Sequence, residues 1–419
     1  MKRLSLAKIK IYEPLLWVYF LWYYLPIARA FFKSDTYNKL FFGALVMGCL
    51  LCGAQILARS TKVKLRFSVL VPVLAYFAVF TFFTLLNVGT ADRHIRVSFS
   101  FWGTLIIFYI TSNYPDLQSR LCKLMFLMFF ATTITSILGV IANPQAARLI
   151  TYAGNDEQED IVIRLLNIGG LAFFQGLVIT VPIWVSFISQ QKYRIFSIVM
   201  LVLIFIGLLH ASFTISIILF FVAILLGYMA NKASATKIFI FACVLLLVFV
   251  VPWEQVLVYF AERTNNARIH DRLLSLADTW ASGAAEGDLK ARVELYGASL
   301  DTFLRHPFGV GPEYTYVDFQ NGIGYHSQIL DDMARYGIFA LAFYVAFFAG
   351  YFKVVKAQWR KINMEQVAWP VLVLYICFLI LNPGFTSAHE SVMMLFMIPT
   401  IPIVLQKRNN RKLNAENQV

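Results

Sequence analysis

Twelve mostly apolar stretches divide this chain, and they limit its fold more than any other feature of the sequence. A helix needs about 17 to 25 apolar residues to cross a bilayer. The stretches lie at residues 12–32, 40–58, 67–88, 97–113, 121–142, 168–189, 195–210, 214–230, 238–253, 337–355, 367–381 and 390–405. Only 14% of the residues are charged and the mean hydropathy is +0.68, whereas soluble domains carry about a quarter charged residues. We therefore predict an all-α polytopic membrane protein with about 12 transmembrane helices.

The positive charges are distributed unevenly between the connecting segments, and this predicts the orientation. When both termini are placed in the cytoplasm, the cytoplasmic segments hold 22 of the 36 lysines and arginines but only 4 of the 23 acids. Cytoplasmic loops of membrane proteins carry such an excess of Lys and Arg. The net charge of +13 is therefore explained by topology and by attraction to anionic lipid head groups, and it predicts no nucleic-acid partner.

This topology divides the chain into four parts. Residues 1–252 hold nine transmembrane helices, residues 253–336 form a large extracytoplasmic loop, residues 337–405 hold three more transmembrane helices, and residues 406–419 form a basic cytoplasmic tail. The first half of the loop has apolar residues at near-helical spacing, which is typical of amphipathic helices on a membrane surface. The stretch from Arg292 to Gly337 holds polar, aromatic and glycine residues that the rest of the chain almost lacks. We expect the functional region there.

The placement of ionisable and metal-binding residues argues against some functional classes. No Asp, Glu, Lys or Arg lies near the middle of a predicted span, whereas ion-coupled transporters ordinarily carry such residues along their path. The five cysteines lie in or at the ends of spans, so the outer loops have no disulfide framework and no thiolate metal set. All the histidines lie outside the membrane or at its outer boundary: His94, His210, His270, His306, His326 and His389. Titratable chemistry is therefore expected on the outer side.

Several outer residues are candidates for binding or chemistry. The break at His306–Gly311 contains glycines that let backbone amides approach a phosphate. His326 opens a helix, whose N-terminus disfavours the imidazolium and so favours the neutral ring that a general base requires; an ordinary interfacial histidine is the alternative. Arg164, Arg93 and Arg96 lie where helices meet the outer surface. There an arginine can bind a phosphate as a planar fork or anchor a helix end.

The order of these motifs resembles that of a known family. Arg292 and Tyr296 precede the turn His306–Gly311, and a segment that begins His326-Ser-Gln-Ile-Leu ends at Tyr336-Gly337. This is similar to the O-antigen ligase and O-antigen polymerase family of polytopic glycosyltransferases, in which an arginine precedes a Pro-x-Gly-x-Gly turn and a His-Asn/Ser-x-x-Leu helix that ends in Gly. The resemblance covers about 46 residues of 419 and is supported by the twelve spans.

The resemblance implies a C-type glycosyltransferase-like fold acting at the outer face of the bacterial cytoplasmic (inner) membrane. It implies a metal-independent enzyme without cofactor or nucleotide sugar, with an undecaprenyl-diphosphate-linked oligosaccharide donor and a glycan acceptor. By this resemblance His326 deprotonates the acceptor hydroxyl and Arg292 binds the diphosphate, which also meets the chemical need for a base and a positive charge. Residues expected to contribute to substrate binding are Arg305, Gly309, Gly311, Arg164, Arg93, Arg96 and Ser327. Other expected partners are the lipid bilayer, a chain-length regulator and a flippase.

One departure from the family pattern concerns a second arginine. Family members often carry a Ser-Arg pair at the outer start of a mid-chain helix, and the corresponding place here is Ser212-Phe213. Either the diphosphate is held differently or another residue supplies the second positive charge. The candidates are Arg164, Arg305, Arg93 and Arg96.

The sequence leaves several functions open. A polymerase joins two lipid-linked repeat units of O-antigen, capsule or exopolysaccharide, whereas a ligase transfers the glycan to lipid A core or another acceptor, and both need the same base and diphosphate site. We favour the polymerase because the motif is common to both and polymerases are the broader group. A flippase or transporter predicts ionisable residues along a cavity and internal repeats, which the sequence lacks. A scaffold without chemistry would leave the histidines on the outer side unexplained.

Overall fold

The computed structural model describes residues 13–30, 91–112, 114–149, 162–191, 193–211, 213–231, 253–264, 267–282, 287–311, 322–384 and 388–406. Within these residues every regular element is helical, as the sequence predicts. The helices before the large loop are α1 (Glu13–Tyr24), α2 (Pro26–Ala30), α3 (Ala91–Thr111), α4 (Pro115–Ala142), α5 (Ala146–Leu149), α6 (Leu171–Ser189), α7 (Arg194–Ala211) and α8 (Thr214–Ala230). The loop and the last part of the chain contain α9 (Trp253–Arg263), α10 (Ala267–Ser282), α11 (Gly287–Arg305), α12 (Gln328–Tyr336), α13 (Ile338–Arg360), α14 (Ala368–Leu381) and α15 (Ala388–Val392).

Nine of the twelve predicted spans coincide with described helices. Five helices are long and apolar enough to cross a membrane: Pro115–Ala142, Leu171–Ser189, Arg194–Ala211, Ile338–Arg360 and His389–Gln406. Shorter apolar helices account for three more predicted spans: Ser100–Thr111, Ile215–Ala230 and Glu365–Leu381. The first predicted span corresponds to α1 and α2. The predicted spans 40–58, 67–88 and 238–253 lie outside the described residues, so the total of twelve stays a prediction.

Two helices form the centre of the bundle. Each of these helices contains an apolar segment of 18 residues. In α6 and in the helix His389–Gln406, 83% of this segment is buried inside the protein, compared with 33% in α7. The helix α6 contacts α7, α8, α14 and α15. A helix that is apolar on all sides is buried when it lies at the centre and faces lipid when it lies at the edge. The exposed side chains of Ile195, Val199 and Val202 on α7 are therefore expected to face lipid.

Glycines let the central helices approach one another closely. A Cβ atom added at Gly176 of α6 would lie 2.5 Å from the sulfur of Met393, in the helix that follows α15. A Cβ atom added at Gly227 of α8 would lie 2.9 Å from Cα of Pro182 on α6. Small residues at such contacts allow the van der Waals packing that holds helices together in a membrane.

One end of the bundle joins segments that the charge pattern places in the cytoplasm. The guanidinium of Arg120 at the start of α4 donates two hydrogen bonds, of 2.6 and 2.7 Å, to the carboxylate of Glu13 at the start of α1. The side chain of Gln190 after α6 donates to the backbone carbonyl of Asn363 after α13, at 3.3 Å.

The opposite end joins segments that the charge pattern places outside. Nε2 of His389, at the start of α15, donates to the carbonyl oxygen of Tyr24 at the end of α1, at 2.7 Å. The hydroxyl of Tyr296 on α11 donates to the carbonyl oxygen of Leu381 at the end of α14, at 2.8 Å. The segments are thus grouped at the two ends as the charge pattern predicts, and the assignment of an end to a side of the membrane stays a prediction.

Candidate active site

His326 lies immediately before the residue that caps α12. The hydroxyl oxygen of Ser327 accepts a hydrogen bond of 3.1 Å from the backbone N–H of Leu330, and Ser327 has an extended backbone (φ −133°) that is typical of an N-cap. Nδ1 of the half-buried His326 ring lies 3.2 Å from the carbonyl oxygen of Gly324. Because a carbonyl oxygen only accepts hydrogen bonds, Nδ1 carries the proton and Nε2 of the neutral ring keeps a lone pair. This is the state that a general base requires.

A buried carboxyl group, that of Asp331, fixes the start of α12. Its Oδ1 accepts a hydrogen bond of 2.6 Å from the hydroxyl of Ser299 on α11, and its Oδ2 accepts one of 3.1 Å from the backbone N–H of Ser327. Burial raises the pKa of the Asp331 carboxyl above its ordinary value, and the charge of Arg335 and the hydrogen bond from Ser299 only partly oppose this. The carboxyl therefore joins α11 to the capping residue beside His326.

One face of α11 packs against the loop that carries His326. The hydroxyl of Ser299 accepts a hydrogen bond of 2.8 Å from the N–H of Gly324, and the hydroxyl of Thr302 donates one of 2.9 Å to the carbonyl of Gly322. A Cβ atom added at Gly324 would lie 2.1 Å from the carbonyl oxygen of Leu295. Only a glycine allows this approach, so the position of His326 depends on the absence of a side chain two residues earlier.

Arg292 lies on the same face of α11. It precedes Tyr296 by four residues and Ser299 by seven, which is the spacing that places side chains on one side of a helix. Its side chain is half-buried, and Nη1 is buried with no hydrogen-bond partner in the described structure. A buried donor without a partner is costly, and an anion would satisfy it. The face that holds the loop of His326 thus also presents an unsatisfied cation.

The glycine turn that follows α11 makes backbone hydrogen bonds to itself and to the end of α12. The backbone N–H groups of Val310 and Gly311 donate hydrogen bonds of 3.1 and 2.9 Å to the carbonyl oxygens of Ala334 and Arg335, at the end of α12. The N–H of Gly309 donates to the carbonyl of His306 at 2.8 Å. The amides of Gly309 and Gly311 are therefore already used within the protein. The role of these two glycines in substrate binding stays a prediction.

A buried ion pair on α12 was missed in the sequence analysis. The carboxylate of Asp332 accepts hydrogen bonds from Arg335, Gln328 and the hydroxyl of Tyr344 on α13, at 3.3, 2.8 and 2.6 Å. Burial lowers the pKa of the Arg335 guanidinium, but the charges of Asp332 and Asp331 outweigh this effect and leave the pKa raised. The guanidinium carbon lies 5.0 Å from the centre of the Tyr325 ring, next to His326. Asp331 and Asp332 precede Arg335 by four and three residues on one helix, and this spacing could have indicated the ion pair from the sequence.

The remaining predicted substrate residues lie elsewhere. Arg305 is exposed, pairs with Asp301 at 2.9 Å, and lies about 20 Å along α11 from Arg292 by the rise of an α-helix. The half-buried Arg164 belongs to a segment that packs against α4, where the hydroxyl of Thr135 donates to the carbonyl of Asn167 at 2.7 Å. Arg93 and Arg96 lie in α3, and their side chains lie outside the described structure. The structure thus places Arg292 on the helix that holds the loop of His326 and Ser327 through Ser299 and Thr302, and it places Arg305 at the other end of that helix.

A cation does lie at the place of the missing family arginine. The guanidinium carbon of Arg148, on α5, lies 5.4 Å from the centre of the Phe213 ring. Phe213 caps the start of α8 and also packs edge-on against Phe174, at 5.6 Å between ring centres. No local sequence pattern indicates Arg148, because α5 and the start of α8 are far apart along the chain.

Residues 195–345 match the family model described as O-antigen ligase. The matched segment begins in α7, includes Arg292 and His326, and ends in α13. The match confirms the resemblance to the O-antigen ligase and polymerase family that the motifs indicated. None of the curated proteins compared with the chain matches it.

Proposed function

We propose that this chain is a metal-independent glycosyltransferase that polymerises oligosaccharide repeat units linked to undecaprenyl diphosphate, at the outer face of the cytoplasmic membrane. The observation that carries the proposal is the shared face of α11. This face holds the loop of His326 through Ser299 and carries the buried, unsatisfied Nη1 of Arg292. A base and a cation on one surface are what transfer from a diphosphate-linked sugar to a hydroxyl requires.

In the proposed reaction, Nε2 of His326 removes the proton from a hydroxyl group of the acceptor sugar. The hydroxyl oxygen then forms a bond to the anomeric carbon of the donor sugar, and the bond from that carbon to the diphosphate oxygen breaks. Negative charge develops on the leaving diphosphate, and Arg292 stabilises it. The guanidinium suits this role because it presents parallel donors to phosphate oxygens.

The contacts around His326 support its role because they restrict the ring. The carbonyl of Gly324 selects the tautomer, while Asp331 and Ser299 fix the adjacent backbone. A catalytic group that is held in position before the substrate arrives loses little entropy during the reaction. We propose that these residues position the base and do not touch the reacting atoms.

We also propose that Arg148 supplies the second positive charge for the diphosphate. Its guanidinium lies over Phe213, where family members often carry an arginine. This would explain how the chain tolerates phenylalanine at that position. If so, Arg148→Lys weakens binding of undecaprenyl diphosphate in the same way as Arg292→Lys.

The second candidate function is that of a ligase, which is favoured by the description of the matching family model. The two activities differ in their acceptor. The test is to incubate the purified protein with lipid-linked repeat units alone and to separate the products by length. A ladder of lengthening lipid-linked glycans supports the polymerase. The absence of a ladder, together with transfer when lipid A core is added, would assign the ligase.

Metal independence is tested in the same assay. Activity in the presence of EDTA should equal activity in its absence, because the proposed reaction uses only His326 and arginine side chains. Loss of activity in EDTA that added Mg²⁺ restores would contradict this part of the proposal.

A further inference from the structure

Three buried polar side chains, two at the outer end of the bundle and one halfway along α14, have atoms that lack a hydrogen-bond partner in the described structure. They are the carboxyl group of Glu390, Nδ2 of Asn382 and the hydroxyl of Tyr375, none of which has a partner in the described structure. Glu390 and Tyr375 are fully buried, and Asn382 is 9% exposed. Buried polar groups in native proteins are nearly always paired, and exceptions require an explanation. We call these three residues the Glu390 cluster.

The members of the Glu390 cluster lie close to one another. A Cβ atom added at Gly384 would lie 2.9 Å from Oε2 of Glu390, so the carboxyl group reaches the backbone two residues after Asn382. Tyr375 on α14 is within electrostatic range of Glu390. A π-helical turn, Met393–Met397, begins three residues after Glu390, and such turns occur frequently at functional sites. Asn382 and Glu390 thus lie at the end of α14 and the start of the last helix, and Tyr375 lies six residues before the end of α14.

The same end of α14 anchors the candidate active site. The carbonyl oxygen of Leu381 accepts the hydrogen bond of Tyr296, which lies one turn from Arg292 on α11. The carbonyl oxygen of Asn382 accepts a hydrogen bond of 3.2 Å from the backbone N–H of Gln328, the first residue of α12. The Glu390 cluster thus lies next to the residues that hold α11 and α12 in place.

The unsatisfied groups of Arg292 and of the Glu390 cluster differ in their hydrogen-bonding chemistry. Arg292 offers a guanidinium donor, which is complementary to an anion. The Glu390 cluster offers a carboxyl acceptor, an amide donor and a phenol that can do both, which are complementary to hydroxyl groups. A cation site would require several more oxygen ligands than one carboxyl group. A diphosphate joined to a sugar carries both an anion and hydroxyl groups.

We infer that the Glu390 cluster binds hydroxyl groups of the first sugar of the donor, the one joined to the diphosphate. This inference rests on the proposed function, and it adds the residues that recognise the sugar. Because Glu390 is fully buried in the ligand-free chain, the side chains that cover it must move when the sugar enters. Binding that requires such a change is slower than diffusion alone allows.

The test compares two ligands with the full-length protein in lipid nanodiscs. One ligand is undecaprenyl diphosphate without sugar, and the other is the same lipid bearing the repeat unit, extracted from the cells that produce it. Glu390→Gln keeps the shape of the side chain but replaces one carboxyl oxygen, which can accept a hydrogen bond, with an NH₂ group that only donates. It should weaken binding of the sugar-bearing lipid about tenfold and leave binding of the sugar-free lipid unchanged. Arg292→Lys should weaken binding of both lipids.

Two further variants complete the test. Glu294→Gln removes an exposed carboxyl group from α11 and should leave both affinities unchanged. Asn382→Ala removes a different member of the cluster and should reproduce the selective loss, including where Glu390→Gln fails to fold. Equal weakening of both lipids by Glu390→Gln, or no change in either, overturns the inference. Failure of the unaltered protein to bind either lipid would instead overturn the proposed function on which the inference rests.

Discussion

Nδ1 of His326 lies 3.2 Å from the carbonyl oxygen of Gly324, and this contact determines which ring nitrogen carries the proton. The hydrogen bond of one ring nitrogen sets the role of the other, so Nε2 is the atom that is able to accept a proton. The contact itself depends on α11, because Ser299 holds the N–H of Gly324 at 2.8 Å. The candidate base is therefore oriented by a helix that also carries Arg292.

Replacement of His326 by alanine should reduce the rate of glycan transfer about a hundred- to ten-thousandfold, the usual contribution of a general base. Binding of the donor should be largely kept, because the imidazole contacts the acceptor hydroxyl and not the diphosphate. The measurement is the initial rate of product formation at saturating donor, together with donor affinity.

The matched control for this variant is His306→Ala. His306 is exposed at the end of α11, so its loss removes an outer imidazole without removing the base. His389 is unsuitable as a control because its ring donates to the carbonyl of Tyr24 and packs between Tyr24 and Phe173. Equal losses of rate in the His326 and His306 variants would show that the histidines act through loop packing.

Replacement of Arg292 by lysine should remove most activity and weaken binding of undecaprenyl diphosphate. Lysine keeps the positive charge but cannot present two parallel donors to a phosphate. The control is Arg263→Lys on α9, where the guanidinium lies 3.7 Å from the centre of the Tyr259 ring. Near-normal turnover in the Arg292 variant, or equal effects in both variants, would assign Arg292 to helix packing.

Much of the helical architecture was predictable because it is determined locally. The apolar stretches located helices at nine of the twelve predicted spans, and the break after α11 occurs where His306-Pro307 predicts it. The start of α12 was placed correctly to within two residues, because a serine that caps a helix acts on the N–H three residues later. These features depend on neighbours in the sequence.

The missed features depend on contacts between distant segments. The amides of the glycine turn are used by Ala334 and Arg335, and no local pattern reveals that the turn docks there. The bond from Tyr344 to Asp332 joins two helices, and the approach of Arg148 to Phe213 joins two more. The Glu390 cluster went unrecognised because Glu390 stands at the end of a predicted span, where a carboxyl group ordinarily meets water.

The stability of the protein should depend on pH through Asp331. Burial raises the pKa of this carboxyl in the folded state, so the folded state favours the protonated carboxyl. The stabilisation that comes from protonating Asp331 is therefore lost as pH rises through the raised pKa. Asp331→Asn does not titrate. The Tm of the unaltered protein minus the Tm of this variant should therefore be highest at low pH and should fall as pH rises towards neutral. A difference that grows with pH would contradict the assignment.

The predicted orientation is tested with single cysteines at the two ends of the bundle. Ser282, on α10, and Lys361, after α13, are both exposed. In intact cells a membrane-impermeant thiol reagent should label Ser282→Cys and not Lys361→Cys, and both should react after permeabilisation. The unaltered protein measures the background from its native cysteines. The opposite pattern would invert the topology and place the candidate active site in the cytoplasm.

The turn after α11 should tolerate no side chain at Gly309, whereas α11 itself should tolerate one at Gly297. A Cβ atom at Gly309 would lie 2.3 Å from the carbonyl oxygen of Arg335, and the φ of Gly309, +90°, is strained for any other residue. In contrast, nothing lies within 4 Å of a Cβ atom added at Gly297. Gly309→Ala should therefore lower the free energy of unfolding by at least about 1 to 3 kcal/mol and reduce activity, because it separates the turn from the end of α12. Gly297→Ala should be neutral or stabilise the helix by about 0.5 to 1 kcal/mol. Thermal unfolding of both variants in the same detergent measures the difference, and equal Tm values would mean that the turn does not hold α12 in place.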